Sequence, residues 1–100
     1  MSAAAIGGLT GFWRVIWSPQ ALEQVAGIVA YLTEINPQAA TDLARSLFDA
    51  AESLQQHPLR GRATFGGLRE LLAVAPYIIR YRVTAERVLI IRVRHAMRLQ

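Results

Sequence analysis

Leu68-Arg69-Glu70-Leu71-Leu72-Ala73-Val74, Tyr77-Ile78-Ile79-Arg80-Tyr81-Arg82-Val83 and Arg87-Val88-Leu89-Ile90-Ile91-Arg92-Val93-Arg94 are separated only by Ala75-Pro76 and Thr84-Ala85-Glu86. Apolar, β-branched and aromatic runs with such short connections read as an antiparallel meander. Taking Thr84-Ala85-Glu86 as the turn pairs Tyr81 with Leu89, Ile79 with Ile91 and Tyr77 with Val93 on one face. A one-residue slip would set Ile79 against Arg92, so the first register is preferred. It puts Arg80, Arg82, Arg92 and Arg94 together on the opposite face. Ala75-Pro76 as the preceding turn brings Val74 opposite Tyr77 and Arg69 opposite Arg82, on the cationic side, and leaves Glu70 on the side of Tyr81 and the core. Like charges facing each other across a ladder are unfavourable unless an anion answers them. The face is therefore expected to meet an acidic partner.

Upstream, Phe12-Trp13-Arg14-Val15-Ile16-Trp17 reads as a first strand. Ser18-Pro19 then gives a helix start, because the serine hydroxyl can cap and proline lacks an amide where none is needed. Leu22, Val25, Ala26, Val29 and Leu32 form an apolar stripe of helical period, ending near Ile35. Asn36-Pro37 repeats the start signal. Ala40, Leu43, Ala44, Leu47, Ala51 and Leu54 make a longer second stripe, closed by Pro58. Two helices joined by almost no loop must form an antiparallel hairpin. Leu59-Arg60-Gly61-Arg62-Ala63-Thr64-Phe65-Gly66-Gly67 is a basic, glycine-punctuated loop. The fold class expected is α+β, ordered strand-helix-helix-strand-strand-strand, with an antiparallel sheet packed against the helical hairpin.

The chain has 100 residues, which suits a single domain, read as 12–100 behind a flexible leader at 1–11. It is 53% hydrophobic and only 18% charged, so its own fold leaves greasy surface for a partner. Net charge is +4, and all 11 basic residues are arginine, whose planar fork suits carboxylate and phosphate. There are no cysteines and 2 histidines, which offers neither disulfides nor a thiolate metal site, and no metal or cofactor is expected. No apolar run is long enough for a spanning helix, and the first residues lack a signal peptide's basic n-region, so no membrane role is expected and the cytoplasm is the default location. Arg60-Gly61-Arg62 and Gly66-Gly67 match no phosphate-loop spacing.

Six pieces in this order resemble the RelE/ParE superfamily of toxins from type II toxin–antitoxin modules. They are Val15-Ile16-Trp17-Ser18-Pro19-Gln20-Ala21, Asn36-Pro37-Gln38-Ala39-Ala40, His57-Pro58-Leu59-Arg60-Gly61-Arg62, Leu68-Arg69-Glu70-Leu71, Tyr77-Ile78-Ile79-Arg80-Tyr81-Arg82-Val83 and Ile90-Ile91-Arg92-Val93-Arg94-His95. The resemblance implies a hetero-oligomer with a ParD-like antitoxin whose acidic, amphipathic tail lies across the toxin. Its expected contacts are Ile28, Tyr31 and Phe48, beside the helical stripes, with Arg60, Arg62, Arg80 and Arg82. The target surface is expected at Arg69, Arg80, Arg82, Arg92, Arg94 and Arg98.

The superfamily divides by target. ParE-like members bind DNA gyrase, whereas RelE-like members cut mRNA in the ribosome. Cleavage through a 2′-hydroxyl needs a base, an acid and cations, and arginine supplies only the last. RelE-like enzymes typically add lysines and a tyrosine near the C-terminus. This chain has no lysine, and His95-Ala96-Met97-Arg98-Leu99-Gln100 has no tyrosine. A non-catalytic, gyrase-binding toxin is the preferred reading, with no catalytic residue expected. Were it an endonuclease, His95 and Arg80 would be the candidates. The simpler role for His95 is a hydrogen bond to neighbouring backbone that ends the strand, and for His57 a cation at a helix C-terminus. A degenerate member that only binds its antitoxin is a third possibility.

Overall fold

The computed structural model describes residues 11–97, so all but Gly11 of the expected leader, and Arg98 at the other end, lie outside the described residues. Strand β1 (Arg14–Trp17) leads into helix α1 (Pro19–Ile35) and helix α2 (Pro37–Glu52), which continues as a 3-10 turn over Ser53–Gln55. A two-residue strand β2 (Arg62–Ala63), a 3-10 turn at Phe65–Gly67, and strands β3 (Leu68–Val74), β4 (Tyr77–Val83) and β5 (Arg87–His95) complete the fold. The sheet order is β1-β5-β4-β3-β2.

The helix starts form as their sequence dictates. Ser18 Oγ accepts from the Ala21 amide at 3.0 Å and Asn36 Oδ1 from the Ala39 amide at 3.1 Å, with proline in the first turn of each helix. Asn36 also ends α1, its amide donating to the Leu32 carbonyl at 2.7 Å. One residue thus closes one helix and opens the next, which produces the tight hairpin. Both helices cover one face of the sheet, α1 over β5 and α2 over β3. Val25, Leu43, Leu47, Ala51 and Leu54 meet Leu71, Ile79, Tyr81, Val88, Ile90 and Val93 there. Each fully buried aliphatic side chain contributes about 1.5–3 kcal/mol by leaving water.

Several expectations are corrected. The sheet is mixed, because β1 runs parallel to β5, with Val15 beside Val88 and Trp17 beside Ile90. The basic loop contributes β2, and the first strand begins at Arg14 rather than Phe12. In α1 the buried positions are Ala21 and Val25, with Ile28, Val29 and Leu32 packed on the core, while Leu22 and Ala26 are exposed. Val25, Val29 and Leu32 keep their expected places, while Ala21 and Ile28 take those expected of Leu22 and Ala26.

Register differs most. Val83 pairs with Val88 and Tyr81 with Ile90, then a bulge at Ile91 shifts the ladder so that Arg80 meets Arg92, Ile79 meets Val93 and Tyr77 meets His95. A second bulge at Ala73 separates Val74, opposite Tyr77, from Leu72, opposite Ile78. Beyond it Arg69 lies opposite Tyr81 and Glu70 opposite Arg80. Each bulge inserts one residue and reverses the in–out alternation. Arg69 and Glu70 have therefore exchanged sides relative to the sequence reading.

Candidate functional site: the open arginine face

The sheet face turned away from the helices carries Arg80, Arg82, Arg92 and Arg94, as the pattern predicts. The means is the Ile91 bulge and not an unbroken ladder. Val88 and Ile90 point to the core, and after the extra residue so does Val93, which sends Arg92 and Arg94 outward. Backbone groups that a bulge leaves unpaired require other partners. The first turns of α1 supply them: Ser18 Oγ donates to the Ile91 carbonyl at 3.1 Å, and Gln24 Oε1 accepts from the Val93 amide at 2.7 Å.

Glu70 sits among these arginines and is 6% exposed. Its Oε2 accepts from Arg80 Nη2 at 2.7 Å, Arg80 Nε at 3.1 Å and Arg94 Nη2 at 3.4 Å, and its Oε1 from Arg62 Nη2 at 3.3 Å. The Arg80 hydrogen bond holds the Glu70 carboxyl below its ordinary value of 4.5, against the opposing cost of burial, with the charges of Arg80 and Arg94 adding to the effect. Glu70 is thus a resident anion shared by three guanidinium groups. Arg92, directly opposite Arg80, has no polar side-chain partner among the described residues, and its Nε is buried without an acceptor, as is Arg94 Nε. A buried donor left unpaired costs about 1–3 kcal/mol.

Arg69 belongs to a different structure. On the helix side of the sheet, its Nη1 donates to the Gly61 carbonyl at 2.7 Å and the Leu59 carbonyl at 3.3 Å. Tyr81, fully buried, donates its hydroxyl to the Pro58 carbonyl and accepts from the Gly61 amide, both at 2.8 Å. Together they fasten the 58–61 loop to the sheet and so set Arg60 and Arg62 at the rim. Arg69 is a loop anchor rather than a member of the open face. A hollow of about 300 Å³ borders the face, lined by Arg60, Arg62, Glu70, Leu72 and Ile78. A larger, mostly apolar one of about 780 Å³ lies at Trp13, Pro58, Leu59 and Val83, away from the arginines.

The remaining candidates scatter. His95 shares the Tyr77 side of β5, away from Arg92 and Arg94. Its ring meets the Tyr77 ring edge-on at 5.4 Å, and its Nδ1 accepts from the Met97 amide at 3.1 Å, the strand-ending role expected of it. His57 is exposed after the 3-10 turn, its amide bonded to the Ser53 carbonyl. Arg60 donates to Ser53 Oγ at 2.7 Å, and the Arg62 side chain is 78% exposed. Tyr31 is 63% exposed and Phe48 38%, the latter with its ring 4.7 Å from Trp17. Ile28 is partly buried and packs against the core. Sequence reasoning missed Ser18 and Gln24 as bulge partners and set Glu70 on the core side of the sheet, away from the three arginines that it joins. The adjacent isoleucines Ile90-Ile91, followed by Arg92-Val93, are the visible sign of the parity change.

Chemically, the face offers fixed cations interleaved with Leu72, Ile78 and Leu89, and the one carboxylate on its strands among the described residues, Glu70, is committed to arginine. Such a surface offers charge-assisted hydrogen bonds to anions and contacts to apolar groups. Among the described residues, no helix is long and apolar enough to cross a membrane.

Residues 15–100 match the family described as "ParE toxin of type II toxin-antitoxin system, parDE". Over 86 residues the chain is 44% identical to Toxin RelE2 of Caulobacter vibrioides, covering 86% of this chain and 98% of that one. It is 31% identical over 88 residues to Toxin RelE1 of the same organism, covering 85% and 95%. It also resembles the solved structure titled "Chromosomal ParDE TA system from P. aeruginosa", with a TM-score of 0.74 over 85% of this chain and 97% of that one. At 20% identity that likeness concerns the fold alone.

Proposed function

The chain belongs to the ParE toxin family of type II toxin–antitoxin systems, and from that premise we propose that it halts growth by binding DNA gyrase through the open arginine face, cutting nothing, and is silenced by a ParD-like antitoxin in a hetero-oligomeric complex. The observation that carries this reading is the state of Glu70. A carboxylate tied to three arginines and held below its ordinary pKa is a poor proton acceptor. Among the described residues no other base stands on that face. Tyr77 and Tyr81 turn toward the helices, His95 is on their side of β5, and the 100 residues include no lysine. Cations without a base stabilise a bound anion and leave a 2′-hydroxyl unactivated. A chain that meets gyrase and such an antitoxin would work in the cytoplasm.

The second reading, a ribosome-dependent mRNA endonuclease, draws on the RelE names of the Caulobacter relatives. It would use Arg80 for phosphate and His95 for proton transfer, and would require His95 to leave Tyr77 and swing round the strand. A paired assay separates the two. Purified chain is added to gyrase with supercoiled DNA, and to a translating extract with labelled mRNA. Accumulated gyrase-cleaved DNA with intact message supports the proposal; cut message with undisturbed gyrase transfers the case to the endonuclease.

A further inference from the structure

The start of β1 is pinned between the two walls of the larger, apolar hollow. One wall runs through Pro58 and Leu59, the other through Val83 and Ala85, and Trp13 lines it as well. The Trp13 amide donates to the Gln55 carbonyl at 2.8 Å, beside the first wall, and the Arg14 amide to the Glu86 carbonyl at 2.9 Å, beside the second. The hollow holds about 780 Å³, and Leu59 on its wall is 63% exposed. A cleft of that volume takes a sizeable apolar group. Gly11, just upstream, has a φ of +73°, a conformation that glycine adopts without strain, so the chain turns there instead of continuing the line of β1. Residues 1–10 precede both this turn and the family match, which begins at residue 15, and they carry no charged side chain. Ile6 and Leu9 are their branched apolar residues. Counted from Trp13, Leu9 can reach about 13 Å and Ile6 about 23 Å of extended chain. An uncharged segment also suits the lining, whose arginine, Arg60, already donates to Ser53 Oγ at 2.7 Å.

We propose that residues 1–10 fold back over this hollow and set Leu9, with Ile6 beside it, against Trp13, Leu59 and Val83. The small, glycine-rich composition that reads as a flexible leader then serves another end, since Gly7-Gly8 lets the backbone lie close to the walls. The chain covers its own exposed Leu59, which would otherwise be an open apolar patch. Any partner that uses the hollow must first displace residues 1–10. This inference goes beyond the toxin reading and does not depend on it.

The test uses the full chain and reads tryptophan emission and thermal unfolding. Trp17, its ring against Phe48, supplies a constant background, so a change in emission reports Trp13. Leu9→Asp is expected to shift emission to longer wavelength and to lower Tm by about 4–8 °C, while Leu9→Met and Ala3→Asp leave both unchanged. Leu59→Asp should act as Leu9→Asp does, and the double variant should lose no more than the larger single loss, because both remove one contact. Should Leu59→Asp fail to fold, the Leu9 variants decide, since Leu9 precedes the family domain. Unchanged emission and Tm in Leu9→Asp overturns the proposal, and so does an equal shift in Ala3→Asp, which would be an effect of charge alone. Two results would name another occupant once Leu9→Asp is silent. A dimer in sedimentation that Leu59→Asp converts to monomer gives the hollow to a second copy, and a shift of Trp13 emission to shorter wavelength on adding the antitoxin gives it to that partner.

Discussion

The side-chain oxygen of Gln24, in the second turn of α1, accepts a 2.7 Å hydrogen bond from the Val93 amide in the last strand. That amide is free because the Ile91 bulge has shifted the β4–β5 ladder. A helix residue with no place on the open face thereby helps to hold the backbone geometry that aims Arg92 and Arg94 at it.

Gln24→Leu should destabilise the domain by about 1–3 kcal/mol, the cost of a buried amide without an acceptor. For a domain of this size each kcal/mol lowers Tm by about 4–8 °C, measurable by circular dichroism. A bare loss of packing would lower Tm without disturbing β5. Amide exchange that quickens at Val93 and its neighbours but not in α2 is the local signature expected here.

The bulge explains which parts of the fold were legible in the sequence. Helix starts were, because Ser18-Pro19 and Asn36-Pro37 act within four residues. The α2 stripe was, because it alternates against polar residues; α1 is apolar on several sides, so its buried face was set by packing. The arginine face was legible too, though for an incomplete reason: a straight ladder and a bulged one both bring Arg92 and Arg94 outward, differing in whether Leu89 and Ile91 or Val88 and Ile90 fill the core. Arg69 and Glu70 were misplaced because nothing in Leu71-Leu72-Ala73-Val74 marks Ala73 as the extra residue. The parallel pairing of β1 with β5 joins residues more than 70 apart and leaves no local trace.

Gly61 is required for space. A Cβ there would lie 2.7 Å from Tyr81 Oη and 2.8 Å from the Glu70 carbonyl oxygen, and the second atom is strand backbone that cannot easily retreat. Gly61→Ala should cost about 1–3 kcal/mol as overpacking. Tyr81→Phe should cost a similar amount, about 1–3 kcal/mol, by stranding the Gly61 amide and the Pro58 carbonyl. Both act on one contact, so urea unfolding of the double variant should show less than the sum.

Alkaline stability should report on the same tyrosine. Burial raises the Tyr81 hydroxyl above its ordinary 10.0, outweighing the Gly61 amide and the charges of Arg69 and Arg60, which favour the phenolate. The folded chain therefore keeps this proton where the unfolded chain has begun to release it. The contribution is complete below about pH 10 and is lost as pH rises past it. Urea midpoints measured from pH 9 to 11.5 should fall in the wild type, with Tyr81→Phe showing a shallower decline.

At the acid end the sign is opposite. Arg80 depresses the Glu70 carboxyl below 4.5 in the fold, so the unfolded chain takes up the proton first on acidification. Glu70 supports the fold above about pH 4.5, and this support disappears as pH falls through the lower folded value. Glu70→Gln should be less stable than wild type at pH 7 and should converge with it toward pH 3. Curves that stay parallel over that range would mean the arginine cluster adds nothing to folding.

Arg92 and Arg94 provide the most direct test of the open face as the working surface. Neither contributes to the apolar core, Arg92 has no side-chain partner to lose among the described residues, and Arg94 has only the longest of the Glu70 contacts, at 3.4 Å. Replacing both with alanine should leave the circular dichroism spectrum unchanged and lower Tm by a few degrees at most. Growth arrest on induction should nevertheless be abolished, read as colony counts after expression from a regulated promoter. The two outcomes must occur together. A folded double variant that still arrests growth fully would show that the target is met elsewhere, with the exposed Tyr31 and Phe48 on the helical side as the next surface to alter.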